Sequence, residues 1–395
     1  MKFGSNILVE SKRLSGTQVG LLCNHASVDE NFRHIADRLL LDENITLGAV
    51  FGPQHGVNAT VQDNMIETPH GHNNVHRTPD GLLRQGPVYS LYSETREPTA
   101  EMLHGLDVLI IDLQDVGARV YTYIYTMANC LRACQRHKIP VIVCDRPNPI
   151  GGVNIEGETL LPGFESFVGQ FPIPMRHGMT IGELATLFNN HFGIDAKLEV
   201  ISMQGWHRAD YWDTTGLPWI MPSPNMPTLD SAIVYPGTVL FEGTMLSEGR
   251  GTTRPFELVG APWIEAERFA AAMNALTLPG VQFRPTAFLP TFQKHAQATC
   301  GGCQIHVVDR KLFRPVLTGV ALISVLRQFD KEEFAWKQPP YEYEHNKTPF
   351  DILSGSDRLR RQIEDGQSVI DIAANWKSDE TAFNKARKPF LLYEN

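Results

Sequence analysis

Short β-branched apolar runs, each ending abruptly in small and polar residues and followed by a helix-compatible stretch, recur through the first 150 residues. Val19 to Cys23 leads into Asn24-His25-Ala26-Ser27, and Leu47 to Phe51 leads into Gly52-Pro53-Gln54-His55-Gly56. Val108 to Ile111 opens the loop from Asp112 to Arg119, and Val141 to Cys144 opens Asp145-Arg146-Pro147-Asn148-Pro149. Apolar runs this short, alternating with helices, predict strands buried on both faces of a mostly parallel sheet, and so an α/β fold with helices on both sides. In open α/β sheets ligands bind in the crevice beyond the carboxyl ends of the strands. Each of the four runs places its polar residues at that end.

From Gly151 onward Pro and Gly become frequent. Thr180-Ile181-Gly182-Glu183 predicts a helix start, because Thr at the N-cap accepts from an exposed amide while Glu three residues on reaches back to another. Residues 213–263 form a long tract without helical periodicity, which reads as functional loop or linker. Helix and strand patterns return from about Trp263 to Phe329, and the stretch from Asp330 reads as helical and charged.

With 395 residues, 42% of them hydrophobic, two domains are the expectation. The net charge of -9 gives no general attraction toward nucleic acid or anionic lipid and suits a compact, uncharged substrate better. Neither a leader-like amino terminus nor a membrane-length apolar run is found, so the chain reads as cytoplasmic, without membrane insertion. Six cysteines are too sparse for a disulfide framework. Cys300-Gly-Gly-Cys303 alone has a suggestive spacing, and we read it as a turn opening the strand Gln304 to Val308 rather than as a redox pair or half a zinc site. Absence of a dinucleotide fingerprint, a phosphate loop and an H-e-x-x-H pattern leaves no cofactor and no metal expected.

Candidate chemistry lies on the strand-end loops. Asp112 and Asp115, with Arg119 four residues on, sit where water is partly excluded and two carboxylate pKa values can be driven apart. Asp112 reads as a helix cap or a partner of Arg119, and Asp115 as the catalytic candidate. His55, between two glycines, lies where backbone can approach a ligand, though a lone histidine is more often structural. Glu67 is a carboxylate with little apolar context. Glu156 beside Gly157 is a candidate acid, whereas Glu158 reads as part of a solvated face. Between Glu242 and Arg254, two carboxylates and two guanidiniums stand among glycines, with Glu248 and Arg250 the functional candidates and Arg254 read equally as an ion-paired loop residue.

Taken together, the strings CNHAS, GPQHG, VYSLYSETREPT, DLQDVGARVYTYIYTM, DRPNPIGG, FPIPMRHGMTIGELA, GWHR, SPNMPTLDSAIVYPGT and EGRGTTRPFELVGAPW resemble, in order, the exo-β-N-acetylmuramidases. The resemblance runs from about residue 19 to 310. It implies an exo-acting glycoside hydrolase that removes terminal β-1,4-linked N-acetylmuramic acid from peptidoglycan fragments, with a disaccharide or small muropeptide as substrate. It also implies a Rossmann-like domain over residues 1–155, extendable to about 235, and a smaller α+β domain over 236–395 that helps form the cleft. Glu156, Asp115 and Glu67 become the candidate carboxylates and His55 a positioner of a proton or hydroxyl. Asn24, Gln54, Tyr123, Asp145, Asn148, Asn225 and Glu248 become candidate substrate contacts, with Arg119, Arg146 or Arg250 facing the lactyl carboxylate. One departure stands out: many relatives carry Glu where this chain has Gln54. That substitution keeps a catalytically silent sugar-binding protein in view, and the sheet keeps a nucleotide-sugar transferase in view.

Overall fold

The computed structural model describes residues 1–63, 65–77 and 83–394. Its strands, in chain order, begin with β1 (Gln18–Cys23), β2 (Thr46–Gly52), β3 (Gly71–Arg77), β4 (Leu83–Ser90), β5 (Val108–Asp112) and β6 (Val141–Cys144). They continue with β7 (Glu156–Thr159), β8 (Pro174–Arg176), β9 (Leu198–Ile201), β10 (Leu258–Ala261), β11 (Val281–Phe288) and β12 (Cys300–Val307). Among the described residues seven strands form one sheet in the order β3-β4-β2-β1-β5-β6-β9. All its pairings are parallel except β3 with β4 at one edge. β9 closes the other edge, so the sheet takes its last strand from beyond residue 155.

Alternation within the strands builds both faces. Val19, Leu21, Val108, Ile110, Ile142 and Cys144 pack under the helices Gly4–Glu10 and Ile35–Leu39. Leu22, Leu109, Ile111, Val141 and Val143 pack on the other side, against the helix Tyr123–His137. A strand covered on both faces has no polar positions to spare, which is why these runs are apolar throughout. The helix Ile181–Thr186 begins at Thr180 with both hydrogen bonds of the capping box formed.

The smaller unit holds the antiparallel sheet β10-β12-β11 and the helices Ala266–Ala275 and Pro315–Phe329. Here two expectations give way. The tract 213–263 contains the helix Leu229–Thr238 and strand β10. That helix shows no polar face because it is buried almost all round, with Pro236 inside it, so the usual periodicity is missing. A Cβ on Gly237 would stand 1.8 Å from the Pro315 carbonyl oxygen, so glycine is what lets the two helices meet. The Cys300-Gly-Gly-Cys303 motif lies within β12 and not in a turn before it. Both thiols are free and buried, and burial pushes Cys300 up to about 11, the behaviour of packing residues.

Candidate active site

A narrow cleft separates the strand-end loops of the first unit from the second. Gln54 and His55 after β2, Thr122 and Tyr123 after β5, and Asn225 line one wall. Glu242, Arg250, Tyr341 and Glu342 line the other.

Glu342 is the group the sequence reading missed. Its Oε1 accepts from the Gln54 amide at 3.2 Å, and its Oε2 accepts from the Tyr92 hydroxyl at 2.8 Å. Thr122 donates in turn to the Gln54 carbonyl oxygen at 2.7 Å. Burial, reinforced by the charge of Glu242, raises the Glu342 carboxyl to about 7, so it holds a proton near neutrality. Glu342 and Tyr343 both have left-handed backbone, φ 46° and 67°. Non-glycine residues in that region cost on the order of 1–3 kcal/mol each and concentrate at functional sites.

Glu242 behaves in the opposite way. Burial pushes its pKa upward, but Arg250 at 2.6 Å and the Tyr341 hydroxyl at 2.8 Å outweigh burial and hold it below the ordinary carboxylate value. Arg250 is itself fixed between Glu242 and Glu248, 3.3 Å from the latter, and Glu248 also meets Lys294 at 2.6 Å. Two carboxylates on one cleft, one protonated and one ionised, are what acid-assisted cleavage of a glycosidic bond requires.

His55 adds a fixed acceptor. Its Nδ1 lies 2.7 Å from the Val61 carbonyl oxygen, which can only accept, so Nδ1 carries the proton and Nε2 presents its lone pair. Burial lowers its pKa to about 4, so the ring is neutral near pH 7. Around it, Asn225 donates to the Gln62 carbonyl at 2.7 Å, and Tyr123 donates to the Pro222 carbonyl at 2.7 Å. Asn24 stands one layer behind, bonded to the Tyr123 hydroxyl at 3.1 Å. Glu67 lies at the outer mouth, where it accepts from the Tyr343 hydroxyl at 3.0 Å.

Other expected residues are placed elsewhere and have structural tasks. Glu156 does not line the cleft: its two oxygens accept from Val316 and Leu317 N–H at 3.2 and 2.9 Å, capping the helix Pro315–Phe329. Glu158 is buried rather than solvated, accepting from Ser356 at 3.1 Å. Asp115 accepts from Gly117 N–H at 2.8 Å and faces His177 at 3.2 Å, which fixes the turn leading to Thr122 and Tyr123. Arg119 is fully buried and donates to four carbonyls, those of Glu158, Ile173, Leu353 and Ser354. Arg146 grips Asp112 through Nε and Nη2 at 2.5 and 2.9 Å, so Asp112 pairs with Arg146 and not with Arg119. Asn148 accepts from Ile150 N–H within its own turn and donates to the Met179 carbonyl 31 positions on. Asp145 accepts from Thr180 at 2.8 Å and from Tyr393 at 2.5 Å. Among the described residues no group of three or more His, Cys, Asp and Glu side chains is arranged to hold a metal.

Comparison with known proteins bears on the chain as a whole. The family described as exo-β-N-acetylmuramidase NamZ matches in two parts, its N-terminal region over residues 19–230 and its C-terminal region over 233–393. A Bacillus subtilis (strain 168) protein described as peptidoglycan β-N-acetylmuramidase NamZ is 45% identical over 387 residues, 97% of this chain and 88% of that protein. Two crystal structures of DUF1343 family proteins from Bacteroides fragilis NCTC 9343 superimpose with TM-scores of 0.86 and 0.74, at 35% and 27% identity, each covering 100% of this chain and 99% of the other. Both halves of the family are matched in order, and the chain belongs to the exo-β-N-acetylmuramidase family.

Proposed function

We propose that this chain is an exo-acting glycoside hydrolase that releases terminal β-1,4-linked N-acetylmuramic acid from peptidoglycan fragments. Small muropeptides or the disaccharide are its substrates, and it serves cell-wall recycling in the cytoplasm. The single observation that carries the mechanism is the pair of buried cleft carboxylates displaced in opposite directions, Glu342 upward and Glu242 downward. Glu342 delivers its proton to the leaving glycosidic oxygen. Glu242 remains ionised and stabilises the positive charge that develops at the anomeric carbon, where a water bonds as the C1–O bond breaks and releases its proton to solvent. The neutral His55 accepts a sugar hydroxyl. Gln54, unable to ionise, orients Glu342 through its amide instead of supplying the proton.

The test is turnover of a chromogenic β-muramyl glycoside across pH. Because the acid must be protonated to act, kcat/KM falls as pH rises through about 7, and Glu342→Gln loses that limb with most of its activity. Sugar binding without any turnover by the wild-type protein would instead favour a silent sugar-binding role.

A further inference from the structure

A second cavity, about 510 Å³, opens beside the cleft and shares Glu342 with it. Arg96 stands on its wall, its guanidinium carbon 3.9 Å from the Tyr343 ring centre and 4.7 Å from that of Tyr92. Nη1 of Arg96 donates to the Ser93 carbonyl. Its Nη2 lies 3.5 Å from Glu67, too far for a good hydrogen bond. Its Nε–H is buried without a hydrogen-bond partner. These last two donors form the side-on edge of the guanidinium, the edge that takes a carboxylate through two parallel bonds.

The cations expected from the sequence to read the lactyl group are committed elsewhere. Arg250 is held between two glutamates, Arg146 grips Asp112, and Arg119 is spent on backbone carbonyls. Buried Lys294 binds Glu248 and the carbonyls of Phe241 and Thr244.

We propose that Arg96 reads the lactyl carboxylate of the terminal N-acetylmuramic acid at the mouth of the cleft, side-on through Nη2 and through the Nε that is closed to solvent until Glu67 is displaced. The assignment rests on the muramidase reading above. It is supported by the position of Tyr92, whose ring lies against the guanidinium while its hydroxyl donates to Glu342 at 2.8 Å. One aromatic ring therefore separates the carboxylate reader from the acid. In the substrate one pyranose ring separates the lactyl ether on C3 from the glycosidic oxygen on C1. The rest of the cavity sharpens the choice, because Glu67, Glu94, Glu165 and Glu344 also line it and repel a carboxylate placed anywhere but on Arg96. Glu67, displaced from Arg96 by the substrate, keeps its bond from the Tyr343 hydroxyl.

Calorimetric titration of free N-acetylmuramic acid and its methyl ester into the wild-type protein, Arg96→Gln and Arg96→Lys separates charge recognition from fold. The wild type binds the acid more tightly than the ester. Arg96→Gln weakens the acid by about tenfold or more, the value of a charged hydrogen bond, and leaves the ester within about twofold. Arg96→Lys falls between, since it keeps the charge and loses the paired donors. Unchanged acid affinity in Arg96→Gln, or equal losses for acid and ester, overturns the assignment. Wild-type turnover of the muramyl glycoside is measured separately, so a failure of the muramidase reading is distinguishable from a failure at Arg96.

Discussion

The loops after β5 and β6 and the walls of the cleft are built from the same residue types, and the chain uses them for opposite purposes. Around β5 and β6, Asp112 and Arg146 close a bidentate pair, Arg119 satisfies four carbonyls, and Asp145 collects donors from Thr180, Gly182 and Tyr393. Apart from the Nε–H of Arg119, these groups have spent their bonding capacity on joining segments, and that Nε faces no open space. In the cleft, Glu342 holds a proton near neutrality and His55 presents an unfilled acceptor, and in the cavity beside it Arg96 keeps an Nε–H without a partner. Polar residues beyond a strand end therefore mark a joint as readily as a site. What distinguishes the site is incomplete pairing beside open space.

Breaking the comparison begins with the carboxylates, where the largest effect is expected. Glu342→Gln lowers kcat on the muramyl glycoside by about a hundredfold or more, the usual contribution of a positioned acid. Asp115→Asn and Glu156→Gln, measured in the same assay, keep kcat within a few-fold. A large loss in either with Glu342→Gln near wild type would return the chemistry to the strand-end loops.

Arg119→Met tests the other side of the contrast. It leaves four buried carbonyls without their donor and lowers the unfolding free energy by about 3 kcal/mol, read by denaturant titration. Catalysis per folded molecule is unchanged, because no atom of Arg119 faces the cleft.

The smallest effect belongs to Glu156→Gln, which keeps one oxygen acceptor for the helix amides, loses the charge and leaves the second amide facing an NH2 group. Its stability falls by about 1–2 kcal/mol, seen as a downward shift in Tm.

Much of this architecture was legible in the sequence, since β1, β2, β5 and β6 coincide with the apolar runs to within a residue at either end. The helix Leu229–Thr238 was not, because complete burial erases the polar face that periodicity needs. In the site, Gln54, His55, Tyr123, Asn225 and Arg250 were found because each stands in a string with an unusual local pattern. Glu342 stood in none. In Tyr341-Glu342-Tyr343-Glu344 it looks like one solvated carboxylate among several, and only the fold sets it against Gln54, 288 positions earlier. Glu242 lay inside a string that drew notice, but its neighbours Glu248 and Arg250 carried the more conspicuous pattern.

The hydrogen bond from Tyr393 to Asp145 spans 248 positions, and Leu392 and Glu394 add bonds to Glu183 and Arg208 in the same region. Asp145 belongs to a loop made early in synthesis, yet one of its donors is made only after β10, β11 and β12 have been translated. During translation the Rossmann-like sheet can gather its strands, but the crevice beyond β6 stays open until the distant segment leaves the ribosome. Loop closure over such a separation makes the final step slow relative to local pairing. The newly made chain therefore passes through a stage in which the first unit is assembled and Asp145 is still wet.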